Sequence, residues 1–207
     1  MSLLAIIAAL VLEQWRPLGG LKVYFELLAH WADWLQQSFD GGEARHGLIA
    51  WLLAVLPVLA VAIAVHYLLF AASPLLALAF NVVALYLTLG FRQFSHYFTD
   101  LQLAIRAGDV DRARELIGAW RAEPAQHRSR EEVIRLALEE ALVASHRHVF
   151  GVLFWFLLLP GPSGAILYRL ALYLRGRWQG RGNFGRFAER AYRALSAAAP
   201  AARRHRR

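Results

Sequence analysis

Two apolar runs, Gly47 to Ala72 and Leu75 to Phe91, are parted only by Ser73-Pro74. At a rise of about 1.5 Å per residue the first is long enough to cross a bilayer with tilt, and the second nearly so. A helical hairpin follows, because in hydrocarbon the backbone must satisfy its own hydrogen bonds. Its polar interior residues are His66 and Asn81, which can bond across the arms, face a cavity, or simply pack. Of 207 residues 58% are apolar and 18% charged, with seven Trp, which is too apolar for a soluble domain and ordinary for a small polytopic membrane protein. There is no cysteine, hence no disulfide framework, thiolate metal site or cysteine nucleophile.

Charge organises the rest. Residues 13–46 hold three basic and five acidic side chains, and residues 92–148 nine of each. Residues 169–207 hold eleven arginines against Glu189, so the excess of +8 belongs to one end of the chain. Such an end beside a membrane segment points to anionic headgroups or cytosolic retention, and no nucleic-acid partner is expected. The tip at Ala72, Ser73 and Pro74 lacks Lys and Arg, while Arg16, Lys22, Arg45 and Arg92 flank the hairpin. The positive-inside rule therefore puts the tip outside and residues 13–46 and 92–148 in the cytosol. The run Leu3 to Leu12 is too short to span alone and reads as a half-inserted or interfacial helix.

Val149 to Leu159 is uncharged and breaks at Pro160-Gly161-Pro162 before a second apolar half that ends at Tyr168 and Arg169. A single crossing by 149–174 would put the basic end on the wrong side, and a re-entrant hairpin folded at the break would not. The expected fold is thus all-α and polytopic. Its parts are an N-terminal half-helix and interfacial helix (1–46), a transmembrane hairpin (47–91), a soluble cytosolic helical region (92–148), a broken membrane segment (149–174) and a basic tail (175–207). Within 92–148, Gly108-Asp109 marks a helix start and Ala113, Leu116, Ile117 and Trp120 follow at helical spacing. Glu123-Pro124 ends that helix, and Ser129 with Glu132 forms a capping box for the next, through Val133, Ala137, Glu140 and Ala144.

Three constellations could carry chemistry. Arg92, His96 and Asp100 are spaced i, i+4, i+8, so they share a helix face that could hold a phosphate or carboxylate, or serve only as an ion-paired face. His146-Arg147-His148 follows Glu139 and Glu140. The two histidines diverge by roughly 200° on an α-helix, so a chelating pair needs irregular backbone, and no resident metal is expected. Tyr168-Arg169 closes the broken segment, where Arg169 either snorkels or holds an anion. There is no Walker A loop, strand-linked GxGxxG, GxSxG elbow or HExxH spacing. The residues alone give a cytosol-facing site for an anion at a membrane surface, with Arg92, His96, His146 and Arg147 gathered there.

The strings FRQFSHYFTDLQLAIRAGDVDRAREL and EEALVASHRHVFGVLFWFLLLPGPSGAILYR resemble the CobD/CbiB family and its relative AmpE, most strongly over 88–120 and 139–169. That resemblance implies a bacterial inner-membrane, multi-pass protein of cobalamin biosynthesis. It implies a ligase that joins adenosylcobyric acid to an aminopropanol or its phosphate with ATP and Mg²⁺, and hence a corrinoid partner beside the lipid bilayer. A homo-oligomer is compatible with it. Glu139, His146 and His148 are the catalytic candidates; Arg92, His96, Asp100, Arg147, Tyr168 and Arg169 are the substrate-binding ones. The AmpE side implies a non-enzymatic membrane signalling modulator instead. Two departures separate the chain from the enzymatic branch: ASHRH stands where an ENTxDG-type string is expected, and Leu170 to Arg175 replace an NTLDSM-like string. Family members run further, and SAAAPAARRHRR reads as the out-of-frame ending of a truncated product, which the other two frames of downstream DNA would test.

Overall fold

The computed structural model of the chain describes residues 2–15, 29–35, 37, 44–89, 91–121, 128–180 and 182–199, with the side chains of 14, 44, 45 and 91–97 outside that description. The described residues are helical with no strand. They form two compact units: Met1–Leu89 with Phe150–Arg207, and Gly90–Val149.

The first unit contains α1 (Ser2–Trp15), α2 (Ala44–Ala72), α3 (Pro74–Thr88), α7 (Gly151–Leu158), α8 (Ser163–Arg177) and α9 (Gly182–Ala198). Residues 29–35 add a short helical segment. α2 continues through Pro57. It stops at Ser73, whose extended backbone and side-chain oxygen cap α3 by accepting from the Leu75 N–H at 3.3 Å, with Pro74 supplying the first helical residue. Thr88 ends α3 by donating its hydroxyl back to the Ala84 and Leu85 carbonyls at 2.9 and 3.0 Å.

Side-chain placement in α1, α2 and α3 is the reverse of a soluble core. The buried positions of α1, α2 and α3 are mostly small: Ala5, Ala9, Ala50, Ala54, Ala62, Ala77 and Ala84. Large apolar side chains such as Leu3, Ile7, Leu56, Val61, Leu68, Phe70, Leu75 and Val83 point outward. Alanines let helix backbones approach, and outward Leu, Val and Phe are satisfied by lipid rather than water. Two helices among the described residues, His46–Ala72 and Arg130–Leu158, are long and apolar enough to cross a membrane. The chain is an all-α membrane protein.

The Pro-Gly-Pro break is a hairpin turn. Gly161 takes φ +61°, a conformation open to glycine, and the Ser163 hydroxyl donates to the Pro160 carbonyl at 2.7 Å. α7 and α8 then run antiparallel in backbone contact. A Cβ on Gly164 would overlap the Trp155 carbonyl, and one on Gly151 would lie 2.6 Å from Cε1 of Tyr168. The turn packs on His66, whose ring would meet a Gly161 Cβ at 2.6 Å. His66 thus lies against the turn. The His66 Nδ1 and Asn81 Oδ1 atoms are buried with no hydrogen-bond partner.

The second unit holds α4 (Phe91–Arg106), α5 (Val110–Arg121), α6 (Arg130–Ser145) and the π-helical turn His146–Phe150 up to Val149. Gly108 adopts φ +77°, and the Asp109 carboxylate accepts from the Arg112 N–H at 3.0 Å, which starts α5. Ser129 and Glu132 form the reciprocal capping box of α6. Leu101, Ala104, Ala113, Ile117, Val133 and Ala137 make the core of this unit. Residues 122–127, including Glu123-Pro124, lie outside the described residues.

Candidate functional site

In the second unit α4 and α6 are antiparallel. Arg130 donates to the Ile105 carbonyl at 3.5 Å, and an open apolar groove of about 240 Å³ lies between Phe98, Leu101 and Ile105 on one helix and Ile134, Ala137 and Leu138 on the other. The start of α4 therefore lies at the same end of the pair as the end of α6. Arg92 and His96 sit on that first stretch of α4, with their side chains outside the described residues; Asp100, one turn on, is exposed. Glu139 is exposed on α6 with Arg135 at 3.6 Å.

His146, Arg147 and His148 are half-buried and open the π-helical turn. The His146 N–H is shared between the Leu142 and Val143 carbonyls where the irregular stretch begins. Nε2 of His146 is buried without a hydrogen-bond partner. A π-turn inserts a residue and re-aims the side chains that follow, and such turns are frequent at functional sites. Among the described residues no three His, Asp or Glu side chains gather to hold a metal ion.

Tyr168 and Arg169 belong to the first unit and are a separate arrangement. Tyr168 is fully buried, its ring against Gly151 and its hydroxyl 3.3 Å from that of Tyr192 on α9. A ligand reaches Tyr168 only if α9 or the hairpin moves. Arg169 is half-buried, and the buried Glu13 of α1 is close enough for their charges to attract.

The polar groups missed by sequence reasoning lie where α8 ends. Arg175 and Arg193 both donate to Glu189, the latter at 2.7 Å, and the Arg175 guanidinium lies 4.8 Å over the Tyr192 ring. Burial pushes the Glu189 carboxyl up, and the hydrogen bonds from Arg193 and Arg175 outweigh it, so the group is held below the usual carboxylate range. Arg177 engages Asp33 with two nitrogens, one of them at 3.1 Å. The signal was Glu189 itself, the one acid among the eleven arginines of residues 169–207.

The chain matches the sequence model of the family described as CobD/Cbib protein over residues 4–191. It is 34% identical over 181 residues to the cobalamin biosynthesis protein CobD of Stutzerimonas stutzeri (strain A1501), covering 84% of this chain and 57% of that protein. It is 36% identical over 105 residues to the protein of the same name from Chromobacterium violaceum, covering 51% of this chain and 33% of the relative. The chain thus spans little more than half the length of the first relative and a third of the second. No solved structure matches it. On the match across 4–191, the chain belongs to the CobD/CbiB family.

Proposed function

We propose that this chain serves cobalamin biosynthesis in the bacterial inner membrane as a multi-pass protein. Its reaction is an adenosylcobinamide-phosphate synthase-type ligation, which joins adenosylcobyric acid to an aminopropanol or its phosphate. The observation that carries the reading is the family match over 4–191, supported by two relatives named for cobalamin biosynthesis. In this reading ATP supplies the activation, a corrinoid is the large substrate, and the bilayer is the medium.

The residues assigned to the work are those at one end of the α4–α6 pair. Arg92 and Arg147 would neutralise an anionic substrate group, and His96 and Asp100 continue that face of α4. His146 and His148, presented by the π-turn, would exchange protons with the amine or the carboxyl that it attacks, with Glu139 as the nearby acid. Tyr168 and Arg169 would act from within the membrane unit.

One observation favours a second reading. The string before LFWF is ASHRH, with two imidazoles and a guanidinium where the synthase pattern has acids and amides. That substitution suits a non-enzymatic, AmpE-like membrane signalling modulator. Complementation of a strain that lacks the synthase separates the two. Restored cobinamide-dependent growth supports the ligase; failure despite stable membrane insertion overturns it. A His146→Ala, His148→Ala variant that complements like the parent would remove those histidines from the assignment.

A further inference from the structure

α9 is a charged helix set lengthwise among apolar ones. Its start lies beside the start of the apolar span His46–Ala72, where the Asn183 carbonyl abuts Gly47 and Phe187 meets the Trp51 ring edge-on at 6.0 Å. Further along, the Leu195 carbonyl accepts from the Trp155 indole at 3.1 Å, shortly before the Pro-Gly-Pro turn. On α8 the partners run in the opposite sense: Trp178 with Phe184, Arg175 with Glu189, Tyr168 with Tyr192. α9 therefore climbs along α2 and antiparallel to α8. At about 1.5 Å per residue, Arg186, Arg190 and Arg193 stand roughly 5, 11 and 15 Å beyond Asn183, the last two at the depth of the apolar span.

These three arginines are exposed and spaced i, i+4, i+7, an arc of roughly 60°, while Phe184, Ala188 and Tyr192 on the other side are buried. Exposure at this depth differs from helix to helix. α2 turns Leu48, Ile49, Leu53 and Leu56 outward, where lipid satisfies them. Among the described residues, α8 and α9 expose no large apolar side chain. Charged side chains at membrane depth face a bundle interior or a water-filled cavity. α9 carries its three arginines against Glu189 alone, and Arg175 of α8 shares that acid. We propose that the Arg186, Arg190 and Arg193 face of α9 lines a water-filled recess in the membrane unit that draws in small oxyanions, phosphates or carboxylates. It opens toward the Gly47 end, because helix side chains lean toward the N-terminus and α9 starts there. A cationic wall beside low-dielectric surroundings concentrates anions, and guanidinium groups take oxyanion oxygens in pairs. The recess depends on neither the ligase reading nor the residues assigned to it.

The test is thiol accessibility, which the lack of native cysteine makes specific. Arg186→Cys, Arg190→Cys and Arg193→Cys, each in the full chain in inside-out membrane vesicles, are exposed to an anionic or a cationic methanethiosulfonate reagent. Each rate is divided by that of free 2-mercaptoethanol with the same reagent. Leu56→Cys, outward on α2 at a depth close to that of Arg193, is the lipid-facing control. Arg190→Cys leaves both ion pairs of Glu189 in place, so that site is read on an intact contact between α8 and α9. A cysteine is too short to snorkel, so modification of Arg193→Cys reports water at its own depth. All three arginine positions should react, with the normalised rate about tenfold or more higher for the anionic reagent, and Leu56→Cys should stay unmodified. Silence at Arg190→Cys and Arg193→Cys while Arg186→Cys reacts would mean snorkelling arginines in lipid or a covering protein segment, and would overturn the proposal. Equal normalised rates for the two reagents, or Leu56→Cys reacting as fast as Arg193→Cys, would also overturn it.

Discussion

Gly164→Ala tests the hairpin at its tightest point. The added Cβ would sit closer than 3.0 Å to the carbonyl oxygen of Trp155, against ordinary contact at 3.4–4 Å, and 3.1 Å from the Phe156 nitrogen. Those are backbone atoms of α7, so no rotamer change relieves the overlap, and α7 and α8 must separate. Overpacking commonly costs about 1–3 kcal/mol, and a backbone-to-backbone clash belongs at or above the upper end, about 3 kcal/mol. For a chain of this size each kcal/mol moves Tm by about 2–4 °C, so a drop of roughly 6–12 °C is expected. The internal control is Gly176→Ala on the same helix, where a Cβ meets nothing within 4 Å. There the gain in helix propensity should raise stability by about 0.5–1 kcal/mol. Tryptophan-fluorescence melts in detergent read both variants. Gly164→Ala melting at or above the parent would show that α7 and α8 do not approach as described.

Gly161→Ala should also destabilise, because φ +61° strains any side chain and the new methyl would press on His66; a His66→Ala background should relieve only the second part, measured by the same melts. Trp155→Phe removes the 3.1 Å hydrogen bond from its indole to the Leu195 carbonyl and should cost about 1 kcal/mol, with faster hydrogen exchange in the last turns of α9. Ser129→Ala should cost about 1 kcal/mol and fray the start of α6, while Ser129→Asp should restore the cap, by circular dichroism. Because Glu189 is ionised more readily in the folded chain than in the unfolded one, its stabilisation is full above about pH 4.3 and fades as pH falls through the lowered folded value. Glu189→Gln should flatten that acid limb of a Tm–pH profile; an unchanged limb would contradict the pairing with Arg175 and Arg193.

What the sequence disclosed was local. Ser73-Pro74, Gly108-Asp109, the Ser129–Glu132 box and Pro160-Gly161-Pro162 each contain the chemistry of their own turn or cap, so the breaks between helices could be placed without coordinates. The angle between His146 and His148 showed only that a chelating pair would need irregular backbone, and the π-turn found there was not legible. What stayed hidden were pairings between distant parts of the chain. Arg177 and Asp33 are 144 residues apart, Glu13 and Arg169 likewise belong to helices remote in sequence, and no periodicity ties one to the other. The sequence left open whether His66 bonds across the hairpin, faces a cavity or packs, and the contact it makes, with the Gly161 turn from far downstream, has no local signal. The basic end of the chain reads as charge in the sequence, yet Phe184, Ala188 and Tyr192 turn part of it into a packed helix. For the site, residue types were legible and their grouping was not, since Tyr168 and Arg169 lie in one unit and the remaining candidates in the other.

The central structural claim is that the chain folds back at Pro160-Gly161-Pro162, which puts that turn toward the Ser73 end of the α2–α3 hairpin and the start of α9, where Asn183 abuts Gly47, at the opposite end. The absence of native cysteine makes single-cysteine labelling clean. Ser73→Cys and Arg190→Cys, each in spheroplasts, can be exposed to a membrane-impermeant maleimide before and after permeabilisation. The fold predicts that Ser73→Cys reacts from outside and Arg190→Cys only after permeabilisation; Arg190→Cys reacting in intact spheroplasts as fast as Ser73→Cys would contradict it.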